Sequence, residues 1–200
     1  YYASRGLGDV YKRQGMRIIA GEARSRTILA PEGRDTRPTL DRVRENLFNI
    51  LQWQCPGARV LDLFAGSGAL ALEALSRGAA EAVLADCDAR AVRVERQNVE
   101  ALGFSQRARV LQADWRETVR KLSAEGRSFQ LVFLDPPYAM EDLTAVFEAL
   151  RTGGLIDADS LVIVEHQAGH PPQVGEGFLM VDQRKYGYAG IHMFRMKGEA

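Results

Sequence analysis

The chain has 200 residues, enough for one well-packed domain with a small appendage. It contains 46% hydrophobic and 26% charged residues, typical of a globular protein, and no apolar run reaches the roughly 18 residues that would indicate a membrane span. The formal net charge is zero, which gives no argument for a nucleic-acid partner, and two cysteines without a CxxC pair favour a reduced, cytoplasmic setting.

The first 15 residues show neither helical nor strand periodicity, whereas Met16 opens a segment with regular patterning. We interpret residues 1–15 as an extraneous leader and exclude them from the fold prediction. This leader carries a net charge of +2, so residues 16–200 carry about −2.

Residues 16–54 are rich in arginine and contain no lysine. The seven arginines are opposed by five acidic residues. Because the planar guanidinium suits phosphate, this segment is a candidate phosphate-contacting surface, and a solvated, salt-bridged face is the alternative.

From residue 58 onward, short apolar runs alternate with amphipathic stretches, as in successive βα units. We predict strands at 58–64, 81–87, 108–114, 129–135 and 160–166, helices at 67–78, 88–102, 115–123 and 141–151, and a hairpin over 178–196. Apolar residues at helical spacing predict a further helix near 43–51, preceded by a short hairpin over 17–31.

These elements predict an α/β fold with a doubly wound, mostly parallel, seven-stranded sheet and a small N-terminal extension of a hairpin and a helix. We divide the chain into the extension, residues 16–54, and a nucleotide-cofactor-binding domain, residues 55–200.

A glycine cluster, DLFAGSGAL, occupies residues 62–70 between the first strand and its helix. Gly66 and Gly68 permit a sharp turn and a close approach of a ligand to free backbone N–H groups. The pattern also satisfies a dinucleotide fingerprint, and a purely structural turn is a further alternative.

Acidic residues follow the next two strands: Asp86 and Asp88 after the second, and Asp114 after the third. A carboxylate about 20 residues after the glycines can accept hydrogen bonds from ribose hydroxyls. Each acid alone could be a helix cap, but together they indicate a ligand site at the carboxyl edge of the sheet.

The fourth strand runs into Asp135, Pro136, Pro137 and Tyr138. The prolines stiffen the loop, while the Asp135 carboxylate and the Pro136 carbonyl can accept both hydrogens of a base amino group. These bonds would pyramidalise the nitrogen and direct its lone pair, while Tyr138 would stack on the base. This pattern predicts methyl transfer from a sulfonium to an exocyclic amine.

With DLFAGSGAL and DPPY in this order, the chain resembles the class I S-adenosylmethionine-dependent amino-methyltransferases. Over residues 16–196 it is most similar to the bacterial RsmD-like enzymes, which methylate guanine N2 in small-subunit (16S) ribosomal RNA. The stretch RPTLDRVRE, residues 37–45, distinguishes this family best, because DPPY also occurs in DNA adenine methyltransferases.

The resemblance implies S-adenosylmethionine as cofactor and ribosomal RNA as partner, either free or within an assembling small subunit. It implies three sets of site residues. The cofactor site would be lined by Asp62, Phe64, Gly66, Ser67 and Gly68, with Asp86, or Asp88, at the ribose and Asp114 at the adenine amine. Asp135, Pro136, Pro137 and Tyr138 would be catalytic. Arg37, Thr39 and Arg42 would lie near the methyl-donor pocket and the entering RNA.

Several alternatives remain at this point. They are an adenine-N6 methyltransferase of DNA or RNA, a nicotinamide-dependent oxidoreductase that uses the glycine loop, and a non-catalytic RNA-binding factor. No metal is expected, because the histidines have no metal-ligand spacing, and a monomer is the default for this size.

Overall fold

The computed structural model describes residues 16–31, 38–137 and 139–198. Seven strands form one sheet: β1 (Arg59–Asp62), β2 (Glu81–Asp86), β3 (Ala108–Gln112), β4 (Leu131–Leu134), β5 (Leu161–Gln167), β6 (Phe178–Tyr186) and β7 (Ala189–Met196). Five helices accompany them: α1 (Pro38–Ile50), α2 (Ala69–Ser76), α3 (Ala89–Leu102), α4 (Trp115–Ala124) and α5 (Thr144–Thr152). The predicted α/β architecture is confirmed.

The strand order is β3-β2-β1-β4-β5-β7-β6, with β1 to β5 parallel and β7 antiparallel to both neighbours. From β1 the chain builds the sheet outward through β2 and β3, then returns to place β4 on the other side of β1. This reversal creates a crevice at the carboxyl ends of β1 and β4, the place where open α/β sheets bind ligands.

The central strands β1, β2 and β4 are buried on both faces, whereas the edge strand β3 is half-buried, and alternate side chains of the sheet supply two separate cores. One core joins the sheet to α1, α2, α3 and the N-terminal extension, which contributes Ile18 and Ile28. The other joins it to α4 and α5, where Phe147 meets the rings of Phe178 and Phe194 nearly edge-on. The extension therefore packs on the same hydrophobic core as the sheet.

Two predicted elements differ locally from the structure. The predicted N-terminal hairpin forms, with backbone hydrogen bonds from Ile18 to Arg26 and from Ile28 to Met16, but only one antiparallel bridge, Arg17 to Thr27, is present among the described residues. The ladder stays short because the N–H groups of Ile19 and Ala20 donate to Glu73 of α2 instead. Helix α5 begins at Thr144 and not at residue 141, because Glu141 and Leu143 form backbone hydrogen bonds with Gln173 instead.

In the described part of the chain, no helix is long and apolar enough to span a membrane. The same residues contain no group of three or more histidine, cysteine or acidic side chains that could hold a metal ion.

Candidate active site

A cavity of about 130 Å³ lies at the carboxyl ends of β1 and β4. These strands are neighbours in register, with Asp62 beside Phe133, so Asp135 emerges from β4 next to the loop that leaves β1. Three parts of the chain line the cavity: the glycine loop and start of α2 (Asp62, Phe64, Ala65, Ser67, Ala69, Leu70), the extension and α1 (Met16, Ala30, Pro31, Val43, Arg44, Leu47), and the ends of β4 and β5 (Asp135, Glu165). The predicted cofactor loop and the predicted chemical corner thus face one space.

The glycine loop turns through two left-handed residues, Gly66 at φ 58° and Gly68 at φ 79°. Gly68 is the N-cap of α2, and its N–H donates to the Ala65 carbonyl at 2.7 Å. A Cβ at Gly68 would lie 2.6 Å from the Leu84 Cδ2 atom of β2. This glycine therefore serves the close packing of helix on strand in addition to the turn.

Asp86, at the end of β2, fixes the loop from the side. Its carboxylate accepts the N–H of Gly66 at 3.0 Å and the N–H of Asp88 at 2.8 Å. Each oxygen retains a lone pair, so the group can still accept hydrogen bonds from a ligand.

Asp88 and Asp114 are both helix N-caps. The Asp88 side chain accepts the Arg90 N–H of α3 at 2.9 Å and also pairs with the Arg90 guanidinium. Asp114 accepts the Glu117 N–H of α4 at 2.8 Å through one oxygen. The second Asp114 oxygen accepts no hydrogen bond from the described residues, and the residue is exposed just beyond the end of β3.

Three carboxylic acids border the cavity. Burial, reinforced by the negative charge of Asp135, raises the pKa of Asp62 to about 8. Burial and Asp135 raise the pKa of Glu165 to about 8 as well, against the opposing effect of Arg44. The Asp62 side chain is only 1% exposed, and its Oδ1 atom has no hydrogen-bond partner among the described residues. A cation bound in the cavity would oppose both effects and favour the ionised form of these acids.

The proline corner after β4 keeps one acceptor available. The Pro137 carbonyl accepts the Met140 N–H at 2.8 Å, whereas the Pro136 carbonyl accepts no hydrogen bond from the described residues. Pro136 is buried, Pro137 is exposed, and both line a small adjoining cavity that meets the main one at Glu165. Tyr138 lies outside the described residues.

Of the three predicted substrate-contacting residues, the structure describes the side chain of Arg42 only. Arg42 is exposed on α1 and lines a shallow groove with Asn46, Tyr186 and Gly187. Thr39 belongs to the first turn of α1, with its side chain outside the described part of the chain, and Arg37 lies outside it altogether.

A buried ionic network, which the sequence did not predict, lies beneath the cavity. Glu73, fully buried in α2, accepts the N–H groups of Ile19 at 2.8 Å and Ala20 at 3.0 Å and pairs with Arg77 at 2.8 Å. Arg44 of α1, 5% exposed, lies 4.0 Å from Glu73. One acid inside the apolar helix ALALEALS, four residues before an arginine, is the signal that could have revealed the network.

Two further residues were missed. Asn98 of α3 donates to the carbonyls of Leu29 and Ser67, both at 2.9 Å, and so ties the extension to the glycine loop. Glu165 follows four buried residues of β5, as Asp135 follows those of β4. The acid-after-strand pattern noted for the first four strands extends to the fifth.

This sheet order, with a glycine loop after β1 and an acceptor corner after β4 facing one cavity, defines the Rossmann-like fold of the class I methyltransferases. The Escherichia coli protein yhhF, provisionally described as a methyltransferase, has a similar structure. The TM-score is 0.79 and the identity 33%, and the match covers 92% of this chain and 99% of that one.

Sequence comparison identifies the family. The model of the family described as conserved hypothetical protein 95 matches residues 16–195. Ribosomal RNA small subunit methyltransferase D of Escherichia coli (strain K12) is 38% identical over 76% of this chain and 75% of its own length. YlbH of Bacillus subtilis (strain 168), provisionally described as an rRNA methyltransferase, is 33% identical over 92% of this chain and 100% of its own length. The chain belongs to this family of RsmD-like methyltransferases.

Proposed function

We propose that the protein transfers a methyl group from S-adenosylmethionine to the exocyclic N2 amine of a guanine in 16S ribosomal RNA. The observation that carries this proposal is the single cavity shared by the glycine loop and Asp135. The relative named ribosomal RNA small subunit methyltransferase D supports methylation of small-subunit ribosomal RNA. The choice of guanine N2 is more specific than that name, and identification of the methylated nucleoside tests it.

The described residues fit S-adenosylmethionine, which supplies an electrophilic methyl group on a sulfonium. Asp86 would hold the ribose hydroxyls, because the Asp86 carboxylate lies at the glycine loop and retains lone pairs. Asp88 is the alternative for this role. Asp114 would accept the adenine amine through its second oxygen. The unpartnered Oδ1 of Asp62 would meet positive charge on the methionyl end.

The residues that follow β4 would bind and orient the amine that receives the methyl group. Asp135 would accept one amine hydrogen and the Pro136 carbonyl the other, so that the nitrogen lone pair points into the cavity. Two observations support this assignment: the Pro136 carbonyl accepts no hydrogen bond from the described residues, and the Pro137 carbonyl is occupied by Met140. Tyr138 would stack on the base. Positioning is the main contribution of these residues, and the surplus proton leaves to solvent after transfer.

The extension would face the RNA. Arg42 is exposed beside a groove at the edge of the cavity, where a phosphate can reach it, and Arg37 and Thr39 would act with it. We further propose that a monomer acts in the cytoplasm on an assembling small subunit.

Incubation with methyl-labelled S-adenosylmethionine and unmodified small ribosomal subunits, followed by mass analysis of the nucleosides, tests the proposal. N2-methylguanosine is the expected product. A label on adenine N6 would support the alternative enzyme, and no label with either naked RNA or particles would contradict methyl transfer to ribosomal RNA.

A further inference from the structure

The cavity at β1 and β4 would hold only one end of the cofactor. Its volume of about 130 Å³ is smaller than the roughly 300 Å³ at which pockets for whole small-molecule ligands begin. Asp135, where the methyl group must be delivered, lines it, whereas the proposed ribose residue Asp86 is absent from the described lining. The enclosed space therefore suits the sulfonium and amino-acid end.

The charged side chains that line the cavity match the charges of the methionyl end of S-adenosylmethionine. The methionyl part carries a cationic sulfonium, a cationic amino group and an anionic carboxylate. The described lining holds three acids, Asp62, Asp135 and Glu165, and one basic side chain, Arg44. Asp62 and Glu165 can balance the two cations, and Asp135 is assigned to the base amine. Arg44 is then the partner for the carboxylate.

Arg44 is held firmly but keeps donors in reserve. Its Nη2 atom donates to the Arg17 carbonyl at 2.5 Å and to Asp41 at 3.0 Å, and Glu73 lies behind it. The Nη1 group makes no hydrogen bond with the described residues. Nε is buried and lies 4.0 Å from the Glu73 carboxylate, so the donors left for a ligand are those of Nη1. A guanidinium fixed on one side with donors left over is preorganised for an anionic ligand.

We propose that Arg44 binds the α-carboxylate of S-adenosylmethionine and so fixes the methionyl end beside Asp135. The inference rests on the proposed cofactor site. In this arrangement the α1 helix of the extension is part of the cofactor site, and the buried Glu73 network positions the guanidinium for binding.

Calorimetric titration of the cofactor-free protein tests this assignment with two ligands, S-adenosylmethionine and its decarboxylated analogue, which retains both cationic groups. A charge-assisted hydrogen bond corresponds to about 10- to 100-fold in affinity. We expect Arg44→Met to weaken binding of S-adenosylmethionine by that factor and to change binding of the analogue less than about threefold. Wild-type protein should prefer S-adenosylmethionine over the analogue by a similar factor.

Arg24→Met is the control, because Arg24 is an exposed arginine of the same extension and does not belong to the described lining. It should bind both ligands as the wild type does. Equal weakening of both ligands by Arg44→Met would mean a structural role only and would overturn the inference, as would an unchanged affinity for S-adenosylmethionine.

If Arg44→Met does not fold, Arg44→Lys takes its place. The loss of affinity must again be confined to S-adenosylmethionine, the ligand that carries a carboxylate. Equal wild-type affinity for the two ligands would refute the proposal without any variant. Failure of the wild type to bind either ligand would instead contradict the proposed function.

Discussion

Gly68→Ala should destabilise the protein because the new methyl group has no room beneath α2. The left-handed conformation at φ 79° costs a residue with a Cβ about 1–2 kcal/mol. The Cβ would also lie 2.6 Å from Leu84 Cδ2 and 3.3 Å from Leu72 Cδ1, and overpacking of this kind costs a further 1–3 kcal/mol or so. The free energy of unfolding should therefore fall by roughly 2–5 kcal/mol.

Gly103→Ala provides the matched control. Gly103 ends α3 at the same φ of 79°, and a Cβ added there would meet no atom of the described residues within 4 Å. It should lose only the conformational part, about 1–2 kcal/mol. Urea unfolding followed by circular dichroism measures both variants, and a difference near 2 kcal/mol corresponds to about 4–8 °C in Tm.

Equal losses for the two variants would refute the packing argument. Leu84→Val removes the crowding methyl group, so it should recover part of the loss when combined with Gly68→Ala. A double variant with strictly additive losses would mean that Leu84 is not the obstacle.

Three further predictions concern the site. Gly66→Val should abolish S-adenosylmethionine binding, because a β-branched residue at φ 58° is strained and fills the approach to the backbone; an unchanged calorimetric affinity would contradict this. Asp62 has its folded pKa raised to about 8 from 3.8, so the folded state binds its proton more tightly and stability falls as pH rises from about 4 to 8. Asp62→Asn should flatten that decline in denaturation curves, and parallel curves for the two proteins would disprove it. Arg42→Glu, alone or with Arg37→Glu, should weaken RNA binding and reduce its salt slope by about 0.7 per lost phosphate contact, whereas an unaltered slope would restore the solvated-face interpretation.

The fold was predictable because each of the strands β1 to β4 is a short, largely apolar run followed by a helix. Asp88 and Gly103 mark the two ends of α3 in the sequence, and the structure places the N-cap and C-cap there. The start of α5 was missed because the competing partner, the backbone of Gln173, lies 30 residues further along the chain.

The site residues were harder to predict where tertiary contacts decide their role. Arg44 was counted with the other arginines of the extension, and nothing in its local sequence shows that α1 buries it above Glu73. Conversely, Asp88 and Asp114 fit both of the roles weighed for them, because a helix cap at the carboxyl edge of a parallel sheet also lies at the ligand crevice.

The central claim is that Asp135 prepares the base amine for a methyl group delivered beside the glycine loop. Asp135→Ala separates chemistry from binding most directly, with Asp142→Ala as control, since Asp142 is a nearby exposed acid outside the described lining of the cavity. We expect Asp135→Ala to reduce methyl transfer to small subunits by at least about 100-fold while calorimetric affinity for S-adenosylmethionine stays within about threefold of wild type. Retained methyl transfer, or loss of cofactor binding together with activity, would contradict the account.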